Sequence, residues 1–277
     1  MTPRQLLKET TRLFEKAGVP DPETDADLLL SHLTGRQTLA LRLDDETELP
    51  EETLTAYLKL RDRRMTRVPL QYLTGSQFFL AHEYLVDSRV LIPRPETALL
   101  AERAITLAGE RQGTRVLDLC CGSGCIGLEV ALAVPFAAVD LADLSEDALN
   151  VAKRNAERLH AKVSFFCGDL FHAVAGRKYD LILSNPPYIP DAECACLQEE
   201  VMAEPAMALK GGADGLDFYR RIAGEASDHL NEAGKILLET GWNQAGDVSE
   251  LLRSKGFQTI RIHQDLQHID RIVEAGR

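Results

Sequence analysis

Apolar residues recur at helical spacing in three stretches of the first 67 positions. The first stretch ends before Gly18 and the second at Gly35, since glycine commonly terminates a helix. The third stretch covers residues 51–67. The three apolar stripes consist of Leu6, Leu7, Leu13 and Phe14, then Ala26, Leu28, Leu29, Leu30 and Leu33, then Leu54, Tyr57, Leu58 and Leu60. This periodicity predicts a small all-α domain over residues 1–67.

Residues 68–94 lose the helical period and contain short aromatic and β-branched runs, which are typical of strands. We predict a β-hairpin linker over residues 68–94. The sequence L-I-P-R-P-E-T at residues 91–97 then predicts a helix start, because Pro95 would sit where a missing amide donor costs little. The residues that suggest the short strands are Phe78, Phe79, Tyr84, Val86, Val90 and Leu91.

The remaining part of the chain, residues 95–277, alternates between apolar runs and helical patterns. The apolar runs are R-V-L-D-L, A-A-V-D-L, V-S-F-F, Y-D-L-I-L-S and K-I-L-L-E-T, and helical patterns occupy residues 146–159 and 218–230. Strands that alternate with helices indicate an α/β domain with a mostly parallel sheet. We predict that this domain covers residues 95–277.

Composition narrows the functional classes. The chain has 277 residues, a formal net charge of -12 and a sequence pI of about 5.1. An acidic balance argues against direct nucleic-acid binding, which draws much of its affinity from Lys and Arg. No apolar run approaches the 18 residues of a membrane span, and the first residues lack the apolar core of a signal peptide. We therefore expect a cytoplasmic protein without a membrane partner.

Six cysteines occur, none in a C-x-x-C pair, and the histidines are scattered singly. This pattern favours reduced thiols that pack as small apolar residues, so we predict no metal site. The most basic stretch is R-D-R-R-M-T-R at residues 61–67. It allows two interpretations: a solvated helix end placed well for the helix dipole, or a local patch for an acidic partner.

A glycine-rich loop, C-C-G-S-G-C-I-G, follows the run R-V-L-D-L. Gly122, Gly124 and Gly127 match G-x-G-x-x-G, and Asp143 follows about twenty residues later, as in dinucleotide-binding folds. Both NAD and S-adenosylmethionine contain an adenosine ribose, so the motif alone fits either cofactor, and a packing turn without a ligand is a third option. Asp118 favours S-adenosylmethionine. Its carboxylate would repel a pyrophosphate but suits a cationic amino-acid end, directly or through loop hydrogen bonds.

The sequence S-N-P-P-Y-I-P at residues 184–190 follows another predicted strand. Ligands of open α/β sheets bind beyond the carboxyl ends of the strands, so Asn185 should face the glycine loop. The Asn185 carbonyl and a rigid proline backbone carbonyl can accept both hydrogens of a planar NH2 group. Tyr188 can stack on that group beside a sulfonium methyl. The motif therefore predicts methylation of a conjugated amine or carboxamide nitrogen.

At these residues the chain resembles the HemK/PrmC family of protein-(glutamine-N5) methyltransferases. The resemblance extends over nearly the whole chain and rests on the NPPY sequence, the glycine loop, Asp143 and three further stretches. These are P-L-Q-Y-L-T-G at residues 69–75, V-L-I-P-R-P-E-T at residues 90–97 and E-P-A-M-A-L-K-G-G-A-D-G-L at residues 204–216.

The resemblance implies a class I, Rossmann-like sheet of seven strands that binds S-adenosylmethionine. It implies a substrate glutamine in the Gly-Gly-Gln loop of bacterial peptide chain release factors, with residues 1–67 as a substrate-recognition domain. Asp169 and Leu170 stand where family members contact adenine. The candidate cofactor-binding residues are Asp118, Cys120, Cys121, Gly122, Ser123, Gly124, Asp143, Asp169, Leu170 and Asn185; the candidate catalytic residues are Asn185, Pro186, Pro187 and Tyr188.

Two positions depart from the family pattern, and several alternatives stay open. Cys120 replaces the usual glycine, which would disfavour a positive φ angle there, and Ala98 stands where an acidic residue often follows Thr97. The same chemistry could act on a glutamine of a ribosomal protein or on an exocyclic amine of a flipped base. A cofactor-gated binding module and an NAD-dependent oxidoreductase are further alternatives.

Overall fold

The computed structural model describes residues 1–277. Its helices of α type are α1 (Pro3–Lys16), α2 (Pro22–Thr34), α3 (Thr38–Leu43), α4 (Glu51–Met65), α5 (Leu70–Thr74), α6 (Ala98–Gly109), α7 (Cys125–Ala133), α8 (Glu146–Leu159), α9 (Glu199–Met202), α10 (Asp217–His229) and α11 (Ala245–Ser254). Its strands are β1 (Ser76–Phe79), β2 (His82–Leu85), β3 (Arg115–Leu119), β4 (Ala138–Asp143), β5 (Val163–Cys167), β6 (Tyr179–Ser184), β7 (Leu230–Glu239), β8 (Thr259–Gln264) and β9 (Asp270–Gly276). None of the helices combines the length and the apolar character that crossing a bilayer requires.

The chain forms two compact units, one of residues 1–76 with 198–203 and one of residues 77–197 with 204–277. In the first unit, α1 begins with a capping box, in which Thr2 and Gln5 each bind the other's backbone amide. The helix α2 ends at Gly35 in the left-handed conformation that glycine adopts without strain. The predicted apolar stripes of these helices meet in a separate core that includes Leu6, Phe14 and Tyr57.

Most of the arginines at residues 61–67 form ion pairs with acidic residues of the first unit. Arg64, whose side chain is 4% exposed, donates to Asp25 at 2.7 Å and lies 2.8 Å from Glu200. Arg67 binds the same Glu200 at 2.6 Å. Burial alone would raise the pKa of Glu200, but hydrogen bonds from Arg67 and Arg64 outweigh it and lower the pKa to about 2. Neither predicted role, solvated helix end or open acidic-partner patch, describes Arg64 and Arg67.

The second unit contains a seven-stranded sheet in the order β5-β4-β3-β6-β7-β9-β8. The first five strands of that order run parallel to one another, and β9 is antiparallel to both β7 and β8. The predicted mostly parallel, seven-stranded Rossmann-like sheet is therefore confirmed. The two-stranded hairpin of β1 and β2 is separate from it.

Successive side chains of the strands point to opposite faces of the sheet, and both faces are covered. Leu181 and Leu183 of β6 contribute to the core that also includes residues of α6, α7 and α8. Ile182, between them, contributes to the core on the other face, together with residues of α10 and α11. Burial on both faces explains why these strands have continuous apolar sequences rather than alternating ones.

Several elements differ from the sequence predictions. Val90 and Leu91 lie in irregular backbone, not in a strand. The local sequence patterns predict neither the short helices α3 and α5 nor the positions of β8 and β9, the two strands that complete the seven-stranded sheet. Pro95 does start a helical segment, as a 3-10 turn at Pro95–Thr97 that continues into α6. The boundaries 1–67, 68–94 and 95–277 stay predictions.

We predict that Arg64→Met destabilises the protein by about 3 kcal/mol, because it leaves the buried Asp25 carboxylate without its counterion. Urea unfolding would measure this loss. Arg63→Met is the matched control, since Arg63 is the exposed neighbour on the same helix, and it should change the free energy of unfolding by less than about 0.5 kcal/mol. Equal stability of the two variants would show that the buried ion pair is unimportant.

Candidate active site

The candidate site lies beyond the carboxyl ends of neighbouring parallel strands. Leu119 of β3 pairs with Ala142 of β4 on one side and with Ser184 of β6 on the other. The glycine loop, Asp143 and Asn185 therefore begin at the same edge of the sheet. A pocket at this edge is lined by most of the predicted site residues: Cys120, Cys121, Gly122, Ser123, Asp143, Asp169, Leu170, Asn185 and Pro187.

The glycine loop turns sharply through three residues with positive φ angles. These are Cys120 at 61°, Gly122 at 54° and Gly124 at 81°. A side chain at Gly124 would meet Leu141 at 3.0 Å, so this glycine also permits close packing between the loop and the sheet. Contrary to the expectation from its side chain, Cys120 does adopt the left-handed conformation. Its pKa is raised to about 12, first because the thiol is buried and second because Asp143 lies nearby, so the thiol is neutral.

Asp118 lies beneath the loop and does not line the pocket. Its side chain is fully buried, and one carboxylate oxygen accepts from the Gly127 amide at 2.8 Å. The other oxygen makes no hydrogen bond. Burial raises the pKa of Asp118 to about 7, and the Gly127 amide opposes that rise. Asp118 therefore does not face the pocket, and of its two predicted modes of action the one through the loop agrees with this hydrogen bond.

Asp143, at the end of β4, faces the pocket and organises the loop. One carboxylate oxygen accepts from the Gly122 amide at 2.9 Å, and the other accepts from the Ser145 amide at 2.9 Å. Burial raises the pKa of Asp143, while these backbone amides lower it. Each oxygen retains a lone pair that can accept a ligand hydroxyl.

Asp169 and Leu170 line the wall that follows β5. Leu170 is buried and has a positive φ angle of 48°. Asp169 is partly exposed and binds Arg221 of α10 at 2.6 Å. This arginine therefore occupies part of the hydrogen-bonding capacity of Asp169.

The NPPY segment follows β6 in irregular backbone and is fixed from two sides. The Asn185 amide nitrogen donates to the hydroxyl of Thr97 at 3.3 Å. The Tyr188 carbonyl accepts from the Gln244 side chain at 2.9 Å. Asn185 and Pro187 line the pocket, whereas Pro186 and Tyr188 do not. These contacts do not use the side-chain oxygen of Asn185, which can therefore face a ligand.

A segment at residues 204–212 covers another side of the pocket through Pro205, Met207 and Lys210. The buried carboxylate of Glu204 accepts from the Ile92 amide at 2.9 Å and from the Arg94 guanidinium at 2.6 Å. This residue therefore joins two of the sequence stretches on which the family resemblance rests.

The comparisons with known proteins agree with this arrangement. Residues 5–75 match the model of the PrmC N-terminal domain, and residues 96–214 match that of the methyltransferase small domain. The release factor glutamine methyltransferase of Geobacter sulfurreducens is 40% identical over 98% of this chain and 95% of its own length. The protein of that name from Chlorobaculum tepidum is 39% identical over 96% of this chain and 94% of its own.

This chain belongs to the release factor glutamine methyltransferase family. Among solved structures, a methyltransferase from Pyrococcus furiosus matches with a TM-score of 0.53 and 18% identity, over 82% of this chain and 98% of that chain. At that identity the match supports the fold alone, which is the methyltransferase fold that the sequence predicted.

Some residues that shape the site in this family member were not singled out from the sequence. Asn155 of α8 is fully buried, and its amide donates to the Ser123 carbonyl at 2.9 Å and to the Leu85 carbonyl at 3.0 Å. It thus supports the glycine loop from behind. A lone asparagine inside a helical pattern gives no sign of such a role. Thr97, which contacts Asn185, was also not singled out, although its position in the stretch L-I-P-R-P-E-T could have indicated a role at the site.

The φ angle of Cys120 yields a stability prediction. Alanine normally stabilises a chain by about 0.5–1 kcal/mol relative to glycine, but at a left-handed position the Cβ atom costs about 1–2 kcal/mol. We predict that Cys120→Gly is more stable than Cys120→Ala by about 1 kcal/mol, as measured by urea unfolding. Both variants lack the thiol, so their difference reports the backbone alone, and a more stable Cys120→Ala would contradict the assigned conformation.

Proposed function

We propose that this protein transfers a methyl group from S-adenosylmethionine to the side-chain amide nitrogen of a glutamine, the Gly-Gly-Gln glutamine of bacterial peptide chain release factors. The names of the relatives and the coverage of nearly the whole chain support this substrate. The main structural support for this chemistry is the position of Asn185, which lines the pocket at the end of β6 and precedes two prolines.

The residues of the pocket fit the cofactor. Asp143 has free lone pairs for ribose hydroxyls, and the loop at residues 120–124 permits close backbone approach. Leu170 supplies an apolar surface for an adenine ring, and Asp169 supplies a carboxylate at its edge. When bound, S-adenosylmethionine supplies an electrophilic methyl group on a positively charged sulfur.

The chain's own residues would act mainly by orientation. The Asn185 carbonyl and a proline backbone carbonyl accept the two hydrogens of the glutamine amide and direct the face of its nitrogen toward the methyl carbon. The bound cofactor would supply the methyl group and keep the electron pair of the broken sulfur–carbon bond, and the amide nitrogen would then lose a proton to water. Alignment of two reactants contributes up to about 7–11 kcal/mol. A strong general base is not required, because the proton leaves after the bond has formed.

Tyr188 would act from outside the pocket lining. Its ring is half-buried and its pKa is raised, first by burial and then by Glu239 and Glu96, so the phenol stays neutral. The stacking of its ring on the bound amide stays a prediction. A cytoplasmic location, the absence of direct nucleic-acid binding and the use of residues 1–67 to recognise the release factor remain predictions.

We predict that Asn185→Ala abolishes methyl transfer, because the glutamine amide loses its acceptor, while cofactor binding survives. The test is to incubate the protein with S-adenosylmethionine and an unmodified release factor and to map the peptides by mass spectrometry. One added methyl on the Gly-Gly-Gln glutamine, absent with Asn185→Ala, would establish the substrate and the residue together.

Two controls separate the alternatives. A release factor with glutamine replaced by alanine should receive no methyl group. Cofactor binding without any methylation of the release factor would refute the proposed substrate. Ribosomal proteins and then nucleic acids would be tested next for the same chemistry. A large loss of cofactor affinity in Asn185→Ala would contradict its assignment to the substrate.

We also predict that Asp143→Ala weakens S-adenosylmethionine binding by roughly 10- to 100-fold, because hydrogen bonds to a charged group contribute about 1.5–3 kcal/mol. Calorimetry would measure the dissociation constants. Asp147→Ala is the control, since Asp147 is an exposed acid on α8 that does not line the pocket. Equal affinity of the two variants would reject the role of Asp143.

A further inference from the structure

Glu239 is a buried acid next to the candidate active site that the proposed chemistry leaves without a role. It is the last residue of β7 and is only 1% exposed. Neither of its carboxylate oxygens makes a hydrogen bond of regular geometry. A buried carboxyl without regular partners is costly, and such groups concentrate at functional sites.

The alternation of β7 directs Glu239 toward the NPPY segment. Leu237, two residues earlier, packs in the core on the α6 face of the sheet, so Glu239 points to that face as well. Ser184, the last residue of β6, pairs with Leu238 of β7. The next residues, Asn185 after β6 and Glu239 at the end of β7, therefore lie side by side. Thr97 immediately precedes α6 on the same face and is also buried.

Three side chains meet at this point. The Asn185 amide nitrogen donates to the Thr97 hydroxyl oxygen at 3.3 Å. The Thr97 hydroxyl and the Asn185 amide both lie close enough to Glu239 to stabilise its charged form. The Thr97 hydroxyl accepts from Asn185 and still has a hydrogen that could be donated to Glu239, which would link the three side chains.

An asparagine amide has two ends, and only its oxygen can accept a hydrogen from the substrate. We propose that Glu239, acting through Thr97, holds the nitrogen of Asn185 toward the protein and thereby keeps its oxygen toward the pocket. Glu239 and Thr97 are then positioning residues for the reaction. This inference rests on the proposed function, because it assigns Asn185 to the substrate amide.

The protonation state of Glu239 should control this orientation. Burial is the largest cause that raises its pKa, and Glu96 adds to the rise, while Thr97, Arg271 and Asn185 oppose it; together they bring the pKa to about 7. Tyr188, Tyr219 and Cys125 also face Glu239, and the pKa of each is raised, chiefly by burial, so these groups are neutral near pH 7. Above pH 7 the carboxylate accepts from Thr97. Below pH 7 the protonated acid can donate, and the preference of the Asn185 amide for one orientation weakens.

Nuclear magnetic resonance tests the orientation without turnover. The chain has five asparagines, so nitrogen-15 labelling of asparagine yields five side-chain amide pairs, and Asn185→Ala identifies the pair of Asn185. We expect that pair to shift with a midpoint near pH 7, and the shift to vanish in Glu239→Gln and in Thr97→Val. Asp118 has a similar pKa of about 7, so a shift that persists in Glu239→Gln would overturn the inference.

Kinetics provides a second test. At pH 8, Glu239→Met and Thr97→Val should each lower kcat by roughly 10- to 100-fold, as small misplacements do, with KM for the release factor within about threefold. Thr97→Ser keeps a hydroxyl and should stay within about fivefold of the wild type, whereas Glu239→Gln resembles the protonated acid and should have at pH 8 about the kcat that the wild type has at pH 6. The kcat of the wild type should fall by up to about tenfold from pH 8 to pH 6, and that of Glu239→Gln should not.

Controls distinguish the possible failures. Glu129→Gln removes another buried carboxylate, which binds Tyr84 at 3.0 Å and His82 at 2.9 Å, and it should leave the Asn185 signal and the pH profile unchanged. If the wild type methylates no release factor, the proposed function fails while the amide titration still reports on Glu239. If the wild type is active and Glu239→Met keeps a normal kcat, the inference alone fails.

Discussion

The parallel pairing of β6 between β3 and β7 is the constraint on which the site depends. It brings the ends of strands that are far apart in sequence to one edge of the sheet. The glycine loop follows β3, Asn185 follows β6, and Glu239 ends β7. Backbone hydrogen bonds between the strands fix this register, so they also fix which site residues become neighbours. A slip of one residue in β6 would turn Asn185 to the opposite face.

Buried carboxylates then connect the segments that leave the sheet. Asp118 binds the start of α7, and Glu204 binds the backbone and the arginine of the stretch at residues 91–97. Asp143 binds the glycine loop. Each acid accepts from amides or a guanidinium in a region of low dielectric, where such bonds are strong and a missing partner is costly. The acids therefore specify loop conformations, although burying them adds little net stability.

The sequence predicted the features that leave a local trace. Strand β6 is a buried apolar run, and α8 is an amphipathic helix whose observed ends, Glu146–Leu159, agree with the predicted range. Strand β8 is not apparent from the apolar pattern, because it is largely exposed and lacks a continuous apolar run. The ion pairs of Arg64 were equally hidden, since Glu200 lies 136 positions away and only the fold brings them together. Local patterns therefore predict elements, but not the long-range contacts that give charged residues their roles.

The stretches at residues 91–97, 184–190 and 204–216 have a physical reason to occur together. The first supplies Thr97 to Asn185 of the second, and the third supplies Glu204 to the first. Ile189 of the second also pairs with the third, since its amide donates to the Leu209 carbonyl at 3.0 Å. Each stretch thus completes hydrogen bonds of the other two, so a change in one would leave buried polar groups unpaired in its neighbours. This closed set of contacts explains why the three stretches together indicate a function more specifically than the N-P-P-Y sequence alone.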